Sequence, residues 1–592
     1  MKFSVVAEYY SKLEKTTKRL EMTALLTDLF LKTPPSELPK VVYLTQGKLY
    51  PDFVGVEIGV AEKLYLRALS LASGVSVKEL DEQLKQAGDV GVLTERVLSK
   101  KPSSSLAAFM GLAEEELTVS EVYGTLDKIA KVSGEGAQET KIRYIAGLLK
   151  KASPLEGRYI ARIILGKLRL GIADMTILDA LAEAFAGGRE NRPILEHAYN
   201  ISSDLGLIAE VVAERGVEGL KGIKPKVGVP IRPMLAERLP TAEEILERMG
   251  GKCIAEYKYD GERMQIHKSG DRVVIFSRRL ENITHHYPDV VEMSRRHIKA
   301  REAIVDGECV AINLDTGEML PFQELMHRRR KYGIEKAMEE YPTAVFLFDC
   351  LYVDGRSLLN LPLLERRRAL KEIVDESDRF RLSEHIIASS IEELEEMFER
   401  AIADGCEGLI AKSIAEESVY QAGARGFLWI KWKRSYQSKM VEPVDLVIVG
   451  AFMGRGKRAG TYGALLLAAY DSEKDQFVTV AKCGTGFTDE ELFSLPKVLE
   501  PYKRDSKHPR VYSKLEADVW FTPAKVIEVI GDEITLSPVH TCGLDVVRRG
   551  AGLAIRFPRF TGRWREDKGP EDATTVKEIV EMYRSQLKKV TE

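Results

Sequence analysis

The sequence predicts a multidomain protein in which an all-α region, an α+β region and a small β-barrel follow one another. Three observations support this fold class. Apolar residues recur at three- and four-residue spacing through residues 1–225, as in amphipathic helices. Three prolines within residues 224–233 interrupt that pattern and favour an extended connector. Strand-like runs then alternate with helical ones, and from residue 442 short strands follow at close spacing.

The composition is that of a globular protein. Its 592 residues are enough for about three or four domains, and 44% are hydrophobic and 30% charged. The net charge is −3, so any contact with nucleic acid must use local basic surface. The six cysteines are scattered without a Cys-x-x-Cys pair, which favours buried thiols over zinc ligands or disulfides. Because it contains no signal peptide and no apolar run of membrane length, we expect a cytoplasmic protein with no membrane partner.

The first region reads as a series of helices punctuated by Gly and Pro. The predicted helices are residues 5–31, 60–72, 119–131, 138–151 and 155–168. Several begin after small polar residues that lie close to basic ones, as in residues 133–141. Helix N-termini of this kind can bind phosphates without reading base sequence. The alternative is an ordinary helical domain with solvated lysines, and this region alone favours that alternative.

A separate feature begins at Ser103. Leu106 is followed three residues later by Phe109 and Met110, so the three can share one helical turn. This spacing resembles a degenerate sliding-clamp-binding box, with Ser103 where that box usually has glutamine. A sliding clamp is therefore an expected partner. The alternative is that Leu106 and Phe109 are core residues of a short helix.

The second region extends from the connector to about residue 436 and combines strands with helices. The predicted strands are residues 273–276, 304–312, 344–353, 408–411 and 427–432. The predicted helices are residues 242–248, 363–374 and 391–403. We therefore expect an α+β domain.

The third region reads as a small barrel. The predicted strands are residues 445–452, 462–470, 477–482 and 526–530, and a helix over 489–499 interrupts them. Several short strands with one inserted helix are typical of a closed barrel such as the OB-fold. Thr575 and Glu578 have the spacing of a capping box and predict a closing helix from about residue 575.

The most informative stretch is residues 256–263, Glu-Tyr-Lys-Tyr-Asp-Gly-Glu-Arg. It predicts a hairpin, with a strand over 253–259, a turn at Asp260-Gly261 and a strand that returns from Arg263. Lys258 would then be held rigidly at a strand end, with Arg263 close across the turn. A neighbouring cation or metal ion lowers the pKa of a lysine and frees its amine to attack an electrophile. The alternative is an exposed hairpin with solvated charges.

Five further stretches place charged or aromatic residues on strands. They are Ser-Arg-Arg at 277–279, Val-Asp-Gly-Glu at 305–308, Phe-Leu-Phe-Asp at 346–349, Glu-Gly-Leu-Ile-Ala-Lys at 407–412 and Trp-Ile-Lys-Trp-Lys at 429–433. Phe346 and Phe348 share a strand face that lines either a pocket or the core. Lys431 and Lys433 also share a face and need anionic partners, of which a triphosphate is the natural one. Each stretch alone has a structural explanation, but together they indicate a nucleotide pocket.

The stretches at 258–263, 306–308, 348–349, 407–412 and 429–433, in this order, resemble the nucleotidyltransferase motif series of the ATP-dependent DNA ligases. Arg-Phe-Pro-Arg-Phe from Arg556, followed by Arg565-Glu-Asp-Lys568, resembles the family's final motif, which is carried on its barrel domain. The resemblance covers nearly the whole chain and is closest to archaeal replicative ligases and eukaryotic ligase I. It implies a helical DNA-binding domain over residues 1–228, an adenylation domain over 229–438 and an OB-fold domain with a C-terminal helix over 439–592. Ser103 is the main departure, and it concerns the clamp contact alone.

The resemblance also implies an activity and its partners. The implied reaction seals nicks with a 5′-phosphate and a 3′-hydroxyl in duplex DNA, in replication, recombination and repair. It would proceed through a covalent lysyl-AMP and a DNA-adenylate. ATP and Mg²⁺, with Mn²⁺ as the alternative metal, are the implied cofactors. The protein would be a monomer, and nucleoid-associated if its host is an archaeon.

The implied site residues follow from the motif positions. Lys258 would carry the AMP. Nucleotide contacts are implied for Glu256, Arg263, Arg278, Glu308, Phe348, Arg425, Lys431, Lys433, Arg565 and Lys568, and metal contacts for Glu308, Glu407 and Asp260. Phe348 would stack on adenine, Glu256 would meet the adenine edge and Glu308 the ribose hydroxyls. The barrel would swing about residues 433–442 to bring its cations over ATP.

Two alternatives remain open at this point. An RNA ligase or an mRNA capping guanylyltransferase shares the lysine motif, although the long helical region and the 565–568 ending speak against both. A non-catalytic nucleic-acid clamp that kept the pocket is the alternative from another class.

Overall fold

The computed structural model describes residues 1–100, 115–168, 170–314, 317, 319–330, 332–433, 442–454, 458–537, 539–556 and 558–588. The chain divides into two compact units. The first comprises Met1–Gln83 and Val90–Trp432, and the second comprises Leu84–Asp89 and Lys433–Glu592. The expected clamp-binding residues, Leu106, Phe109 and Met110, lie outside the described residues. Within those ranges, no helix has the length and apolar character needed to cross a membrane.

The first part of the chain is helical, as its periodicity predicts. Its helices are α1 (Phe3–Glu14), α2 (Arg19–Lys32), α3 (Leu38–Thr45), α4 (Glu62–Ser73), α5 (Val77–Ala87), α6 (Val90–Ser99), α7 (Val119–Lys131), α8 (Ala137–Lys151), α9 (Pro154–Ile164), α10 (Asp174–Phe185), α11 (Arg192–Ser202) and α12 (Leu205–Leu220). The single helix predicted over residues 5–31 is wrong, because the chain leaves the helix between α1 and α2. There the Thr16 hydroxyl accepts the backbone N–H of Lys18 at 3.2 Å, a local bond that competes with helical pairing.

The proline-rich connector contains no helix, as predicted, but it is not extended throughout: the Val229 N–H donates to the Lys226 carbonyl at 3.1 Å in a turn. The segment is also fixed in place. The Gly228 N–H donates to Nδ1 of His267 at 3.0 Å. The backbone of Ile231 exchanges two hydrogen bonds with the Gln265 side chain, at 2.9 and 2.8 Å. Ile231 and His267 are fully buried. The connector is therefore fixed to the strand that carries Gln265 and His267. It is also bonded to the helical region, where the Ser203 hydroxyl donates to the Pro230 carbonyl at 2.6 Å and the Arg232 N–H donates to the Asn200 carbonyl at 2.8 Å.

Two sheets form the α+β region. Its strands are β1 (Leu235–Arg238), β2 (Cys253–Lys258), β3 (Glu262–Ser269), β4 (Arg272–Ser277), β5 (Glu302–Ala311), β6 (Thr343–Val353), β7 (Arg356–Ser357), β8 (Phe380–Leu382), β9 (His385–Ala388), β10 (Gly408–Ser413) and β11 (Arg425–Lys433). Its helices are α13 (Ala242–Arg248), α14 (Pro288–His297), α15 (Phe322–Met326), α16 (Ile334–Glu340), α17 (Leu363–Ile373) and α18 (Ile391–Ala403). The first sheet has the order β1-β11-β10-β2-β9, and the second has the order β4-β3-β5-β6-β7 with β8 beside β6.

Strand alternation gives each sheet a face backed by helices and an inner face. In the first sheet, Tyr257 and Leu409 pack in one core with residues of α13 and α18. Their neighbours along the strands therefore point to the inner face. On the inner side, Ile304 and Leu351 of the second sheet join Trp429 of the first in a shared core. The space between the sheets is thus bordered by both inner faces.

The second unit is β-rich. Its strands are β12 (Val444–Met453), β13 (Tyr462–Asp471), β14 (Gln476–Cys483), β15 (Lys503–Arg504), β16 (Val511–Tyr512), β17 (Val519–Phe521), β18 (Val526–Ile530), β19 (Glu533–Ser537), β20 (Gly552–Arg556) and β21 (Arg559–Trp564), and its helices are α19 (Asp489–Leu499) and α20 (Val576–Lys588). β12 pairs with β13, β17 and β18, and bulges along it curl the sheet around an apolar core. Of the predicted capping box, the N-cap bond is present, since Thr575 accepts the N–H of Glu578 at 3.2 Å; the Glu578 carboxylate accepts the Thr575 hydroxyl at 3.0 Å.

Candidate active site

The 256–263 stretch joins the two sheets. The predicted hairpin is wrong, because β2 pairs with β9 and β10 while β3 pairs with β4 and β5. The chain crosses from one sheet to the other at Asp260-Gly261. A Cβ at Gly261 would lie 2.0 Å from the backbone oxygen of Cys309 on β5, so only glycine fits this crossing. The Asp-Gly pair therefore allows the backbone at Gly261 to pass close to the backbone of β5, and it does not form a two-residue hairpin turn.

Lys258 ends β2 beside Glu407. The register pairs Gly408 with Lys258, and the Glu407 N–H donates to the Lys258 carbonyl at 2.8 Å. The Lys258 ammonium donates to the Glu407 carboxylate, and 20% of the lysine side chain is exposed. Burial lowers the pKa of Lys258, but the carboxylates of Glu407 and Glu308 outweigh it and raise that pKa above its ordinary value. The expected lowering by Arg263 is therefore corrected, because carboxylates dominate around the amine.

Glu308 and Glu407 form the acidic part of the site. Burial raises the pKa of Glu308 to about 8, although Lys258 and Arg263 oppose the rise. Asp260 acts on Lys258 at longer range, and its carboxylate accepts the N–H of Phe322, the first residue of α15, at 3.2 Å. Burial makes it costly to ionise Glu308, and a bound cation would offset that cost. Two partly buried carboxylates therefore fit a divalent cation that keeps several waters. No group of three or more His, Cys, Asp or Glu side chains in the described parts of the chain forms a ready metal site.

Arg263 lies at the edge of the space between the sheets. It forms a two-pronged ion pair with Asp306, at 2.6 and 3.1 Å, and donates to the Met234 carbonyl at 2.6 Å. Its guanidinium lies 5.5 Å from the ring centres of both Phe348 and Trp429. This arginine is thus held against the aromatic wall formed by Phe348 and Trp429.

Two further arginines, Arg278 and Arg425, lie near each other, and Arg278 is also near Arg263 and Glu308. Arg278 follows β4 and Arg425 begins β11, and both are exposed. Burial and then the charge of Arg263 lower the pKa of Arg278, with Arg425 also contributing. Within the described ranges, neither side chain forms a hydrogen bond or an ion pair with another residue. A group of cations without such partners fits an anionic ligand such as phosphate.

The last stretch of β11 has the predicted alternation. Ile430 and Trp432 are buried in the helix-backed core, whereas Lys431 and Lys433 alternate with them and are partly exposed. They therefore share the inner face with Trp429.

Aromatic side chains border the inner face. Phe348 is half-buried and meets Trp429 edge to face at 6.0 Å. The Lys412 ammonium lies 4.2 Å from the centre of the Phe348 ring and 4.1 Å from that of Trp429. Phe346 instead stacks on Tyr259 at 4.1 Å within the core. Of the two aromatics predicted to share a face, Phe348 borders the pocket and Phe346 fills the core.

Glu256 lies next to this wall and is almost fully buried. Its carboxylate receives hydrogen bonds from Arg367 at 2.5 Å, from Ser383 at 2.8 Å and from Lys412. Burial raises the pKa of Glu256, but Lys412 and Arg367 prevail and hold it below its ordinary value. Burial lowers the pKa of Lys412 despite this pair.

The cations of the last motif lie in the second unit. Arg565 and Lys568 both form ion pairs with Asp445 on β12, at 3.0 and 2.7 Å. Arg556 pairs with Glu533 at 2.9 Å.

Several residues that hold the site were missed by sequence reasoning. The buried Tyr420 hydroxyl donates to Asp306 at 2.9 Å and accepts the Met234 N–H at 3.0 Å. Arg366 forms a fully buried pair with Asp349 at 2.8 Å, and Arg367 holds Glu256. Tyr420 lies in a loop without a pattern. The only signal for the two arginines was a run of three in a helix, which reads equally well as a solvated face.

Sequence models of known families match the chain in three parts. The model described as ATP dependent DNA ligase domain matches residues 233–433. The model described as DNA ligase N terminus matches residues 2–182, and that described as ATP dependent DNA ligase C terminal region matches residues 458–568.

Full-length relatives are similar over the whole chain. DNA ligase 2 of Thermofilum pendens is 60% identical over 589 residues, which cover 99% of this chain and 98% of that protein. DNA ligase 2 of Korarchaeum cryptofilum is 58% identical and covers 100% of this chain and 98% of that protein. The solved structure called Pmar-Lig_Pre is 17% identical, with a TM-score of 0.53 over 95% of this chain and 99% of its own. That likeness concerns the fold alone.

Proposed function

Because this chain belongs to the ATP-dependent DNA ligase family, we propose that Lys258 is the residue that carries AMP during nick sealing. The supporting observation is the position of Lys258. Its ammonium contacts Glu407 at the edge of an inner space bordered by Phe348, Trp429 and several arginines. A partly exposed amine between carboxylates, an aromatic wall and cations suits attack on a nucleoside triphosphate.

The first step transfers AMP to the chain. After losing a proton, Lys258 Nζ attacks the α-phosphorus of ATP, so that a P–N bond forms and the bond to pyrophosphate breaks. The raised pKa of Lys258 means that the amine is protonated before nucleotide binds. In the second step an oxygen of the 5′-phosphate at a nick attacks the phosphorus of the AMP and displaces Lys258. In the third step the 3′-hydroxyl attacks the phosphorus of the 5′-phosphate and displaces AMP.

The nucleotide would lie along the inner face. Adenine would stack against Phe348, and Glu256 would meet its edge together with Lys412. Glu308 would bind ribose hydroxyls. Charge on the phosphates would be neutralised by Arg263, Arg278, Arg425, Lys431 and Lys433. Removal of the charge of Arg425 or Lys431 should therefore slow formation of the lysyl-AMP without unfolding the protein.

A divalent metal ion fits the acidic part of this pocket. Glu407 and Glu308 would hold it, with Asp260 close by, and Mg²⁺ or Mn²⁺ suits oxygen ligands of this kind. When bound, the ion supplies positive charge that offsets the phosphates and favours the neutral amine.

Duplex DNA with a nick is the proposed partner, and the protein would act as a monomer in the cytoplasm. The proposed division is a DNA-binding domain over residues 1–228, an adenylation domain over 229–438 and an OB-fold domain over 439–592. Helix N-termini and basic side chains of the first domain would hold phosphates, so binding should be sensitive to salt and blind to sequence. Arg565 and Lys568 would orient the pyrophosphate in the first step. A sliding-clamp contact through Leu106, Phe109 and Met110 stays a prediction.

The central test is the covalent adduct. Incubation with α-labelled ATP and Mg²⁺ should label the wild type, and intact mass should rise by one AMP. Lys258→Ala should give no adduct, whereas Lys252→Ala, an exposed lysine just before β2, should behave as wild type. A labelled Lys258→Ala protein would overturn the assignment.

The same assay separates the alternatives. A capping guanylyltransferase would prefer GTP over ATP, and an RNA ligase would join RNA ends in preference to a nick in DNA. A non-catalytic clamp would bind nicked duplex and form no protein–AMP adduct.

A further inference from the structure

Asp445 occupies an unusual position in the second unit. It is the second residue of β12, and its side chain is only 12% exposed. Its carboxylate receives Arg565 Nη1 at 3.0 and 3.1 Å and Lys568 Nζ at 2.7 Å. One buried carboxylate therefore joins Arg565 and Lys568.

The backbone around Asp445 is also fixed. Its N–H donates to the Thr574 hydroxyl at 2.9 Å, and the Thr574 N–H donates to the Asp445 carbonyl at 2.8 Å. Thr574 lies just before α20. Asp445 is therefore anchored between a central strand and the start of the closing helix, which gives its carboxylate one well-defined position.

The two cations differ in the number of contacts that fix them. Arg565 uses Nε and Nη2 on Asp567, at 3.0 and 2.8 Å, and Nη1 on Asp445. Among the residues that the structure describes, the Lys568 ammonium makes one hydrogen bond, to Asp445. An ammonium has three N–H donors, so two remain for another acceptor. Arg565 is thus suited to bracing the loop, and Lys568 to contacting a ligand.

We infer that Asp445 is a positioning residue for lysyl-AMP formation: it holds Lys568, directly and through Arg565, so that the ammonium presents its two remaining donors to the pyrophosphate of ATP. This inference rests on the proposed function. A lysine side chain loses rotamer entropy when it is fixed. An ion pair made before ATP binds removes part of that cost from the transfer step.

The test separates the first step from the later ones. Asp445→Asn keeps the size of the side chain and removes its charge. Its rate of lysyl-AMP formation with α-labelled ATP should fall about tenfold, since a charge-assisted bond of about 1.4 kcal/mol is lost. Sealing of a nick supplied with a synthetic 5′-adenylate, which needs no ATP, should stay within about twofold of wild type. Asp475→Asn is the matched control, because Asp475 pairs with Arg510 at 2.5 Å in the same unit and is well exposed.

A double variant identifies the route of the effect. Lys568→Ala should slow lysyl-AMP formation, and adding Asp445→Asn to it should slow the step little further, because Asp445 acts through Lys568. Full additivity of the two effects, an equal loss in both assays, or no loss in Asp445→Asn would overturn the inference. If Asp445→Asn does not fold, the same comparison with Asp445→Ser, which also removes the charge, decides by the same outcomes. Lys568→Ala at the wild-type rate would instead refute the proposed role of Lys568 itself.

Discussion

Removal of the Tyr420 hydroxyl should loosen both the connector and Arg263. In Tyr420→Phe, Asp306 loses a buried hydrogen bond of 2.9 Å and the Met234 N–H loses its acceptor at 3.0 Å. A hydrogen bond to a charged group contributes about 1.5–3 kcal/mol, and a buried N–H without a partner costs about 1–3 kcal/mol. Because the two effects overlap, we expect a local loss of about 3 kcal/mol.

Hydrogen–deuterium exchange of the connector measures this loss. Pro230 and Pro233 have no amide, so a peptide over residues 231–236 reports few amides, among them Met234. A loss of about 3 kcal/mol should speed exchange at Met234 roughly a hundredfold. The Michaelis constant for ATP in lysyl-AMP formation should rise in parallel, because Arg263 also contacts Tyr420, at 3.3 Å.

Tyr352→Phe is the matched control. Its hydroxyl donates to Glu302 at 3.3 Å on the same sheet and is only partly buried, so its removal should change stability by less than about 0.5 kcal/mol. If Tyr420→Phe exchanged and bound ATP like this control, the hydroxyl would not be what fixes Met234 and Arg263.

Three further predictions concern buried groups of the α+β region. Lys412→Met leaves Glu256 with one cation fewer in a buried site, so it should destabilise the protein by about 3 kcal/mol in urea unfolding; exposed Lys371→Met is the control, and equal midpoints would contradict the prediction. Gly261→Ala places a methyl 2.0 Å from the Cys309 oxygen and should lower soluble yield and abolish the adduct, whereas Gly124→Ala in α7, with open space around it, should be neutral. Burial lowers the pKa of His267 to about 3, below about 6.5 in the unfolded chain. Since the folded state favours the neutral ring, its contribution is complete above about pH 6.5 and falls by about 1.4 kcal/mol per pH unit down to about pH 3. His267→Gln should flatten this part of the pH dependence, and an unchanged slope would show that other groups cause it.

Local patterns predicted most elements of the fold. Helices α7, α13, α18 and α19 and strand β18 have the predicted bounds, because apolar spacing and capping residues are local signals. The break between α1 and α2 was missed because the periodicity continues through it, while the competing Thr16 bond depends on one side chain.

The site was predicted less completely, because it depends on strand pairing and ion pairs between residues that are far apart in the sequence. The Asp260-Gly261 pair has a hairpin signature, and only the partners of β2 and β3 reveal that it crosses between sheets. The direction of the pKa shift of Lys258 was predicted from the wrong neighbour. Arg263 is close in sequence, whereas Glu407, which contacts the amine, is 149 residues away. The pairing of Asp349 with Arg366 could not be predicted either. Arg366 belongs to a run of three arginines in a helix, a pattern typical of a solvent-exposed helix face, yet the pair is buried against β6.

The fixed connector decides where the catalytic part can be excised. Gly228 and Ile231 are bonded to side chains of β3, and Met234 supplies the carbonyl that Arg263 grips. A fragment that starts just ahead of Gly228 keeps these bonds and should still accept AMP. A fragment that starts after Met234 would lack the hydrogen bonds from the connector to His267 and Gln265 of β3, and Arg263 would lose the Met234 carbonyl. A truncation made at β1 would therefore remove contacts that hold the pocket residues, although the deleted segment lies outside the pocket.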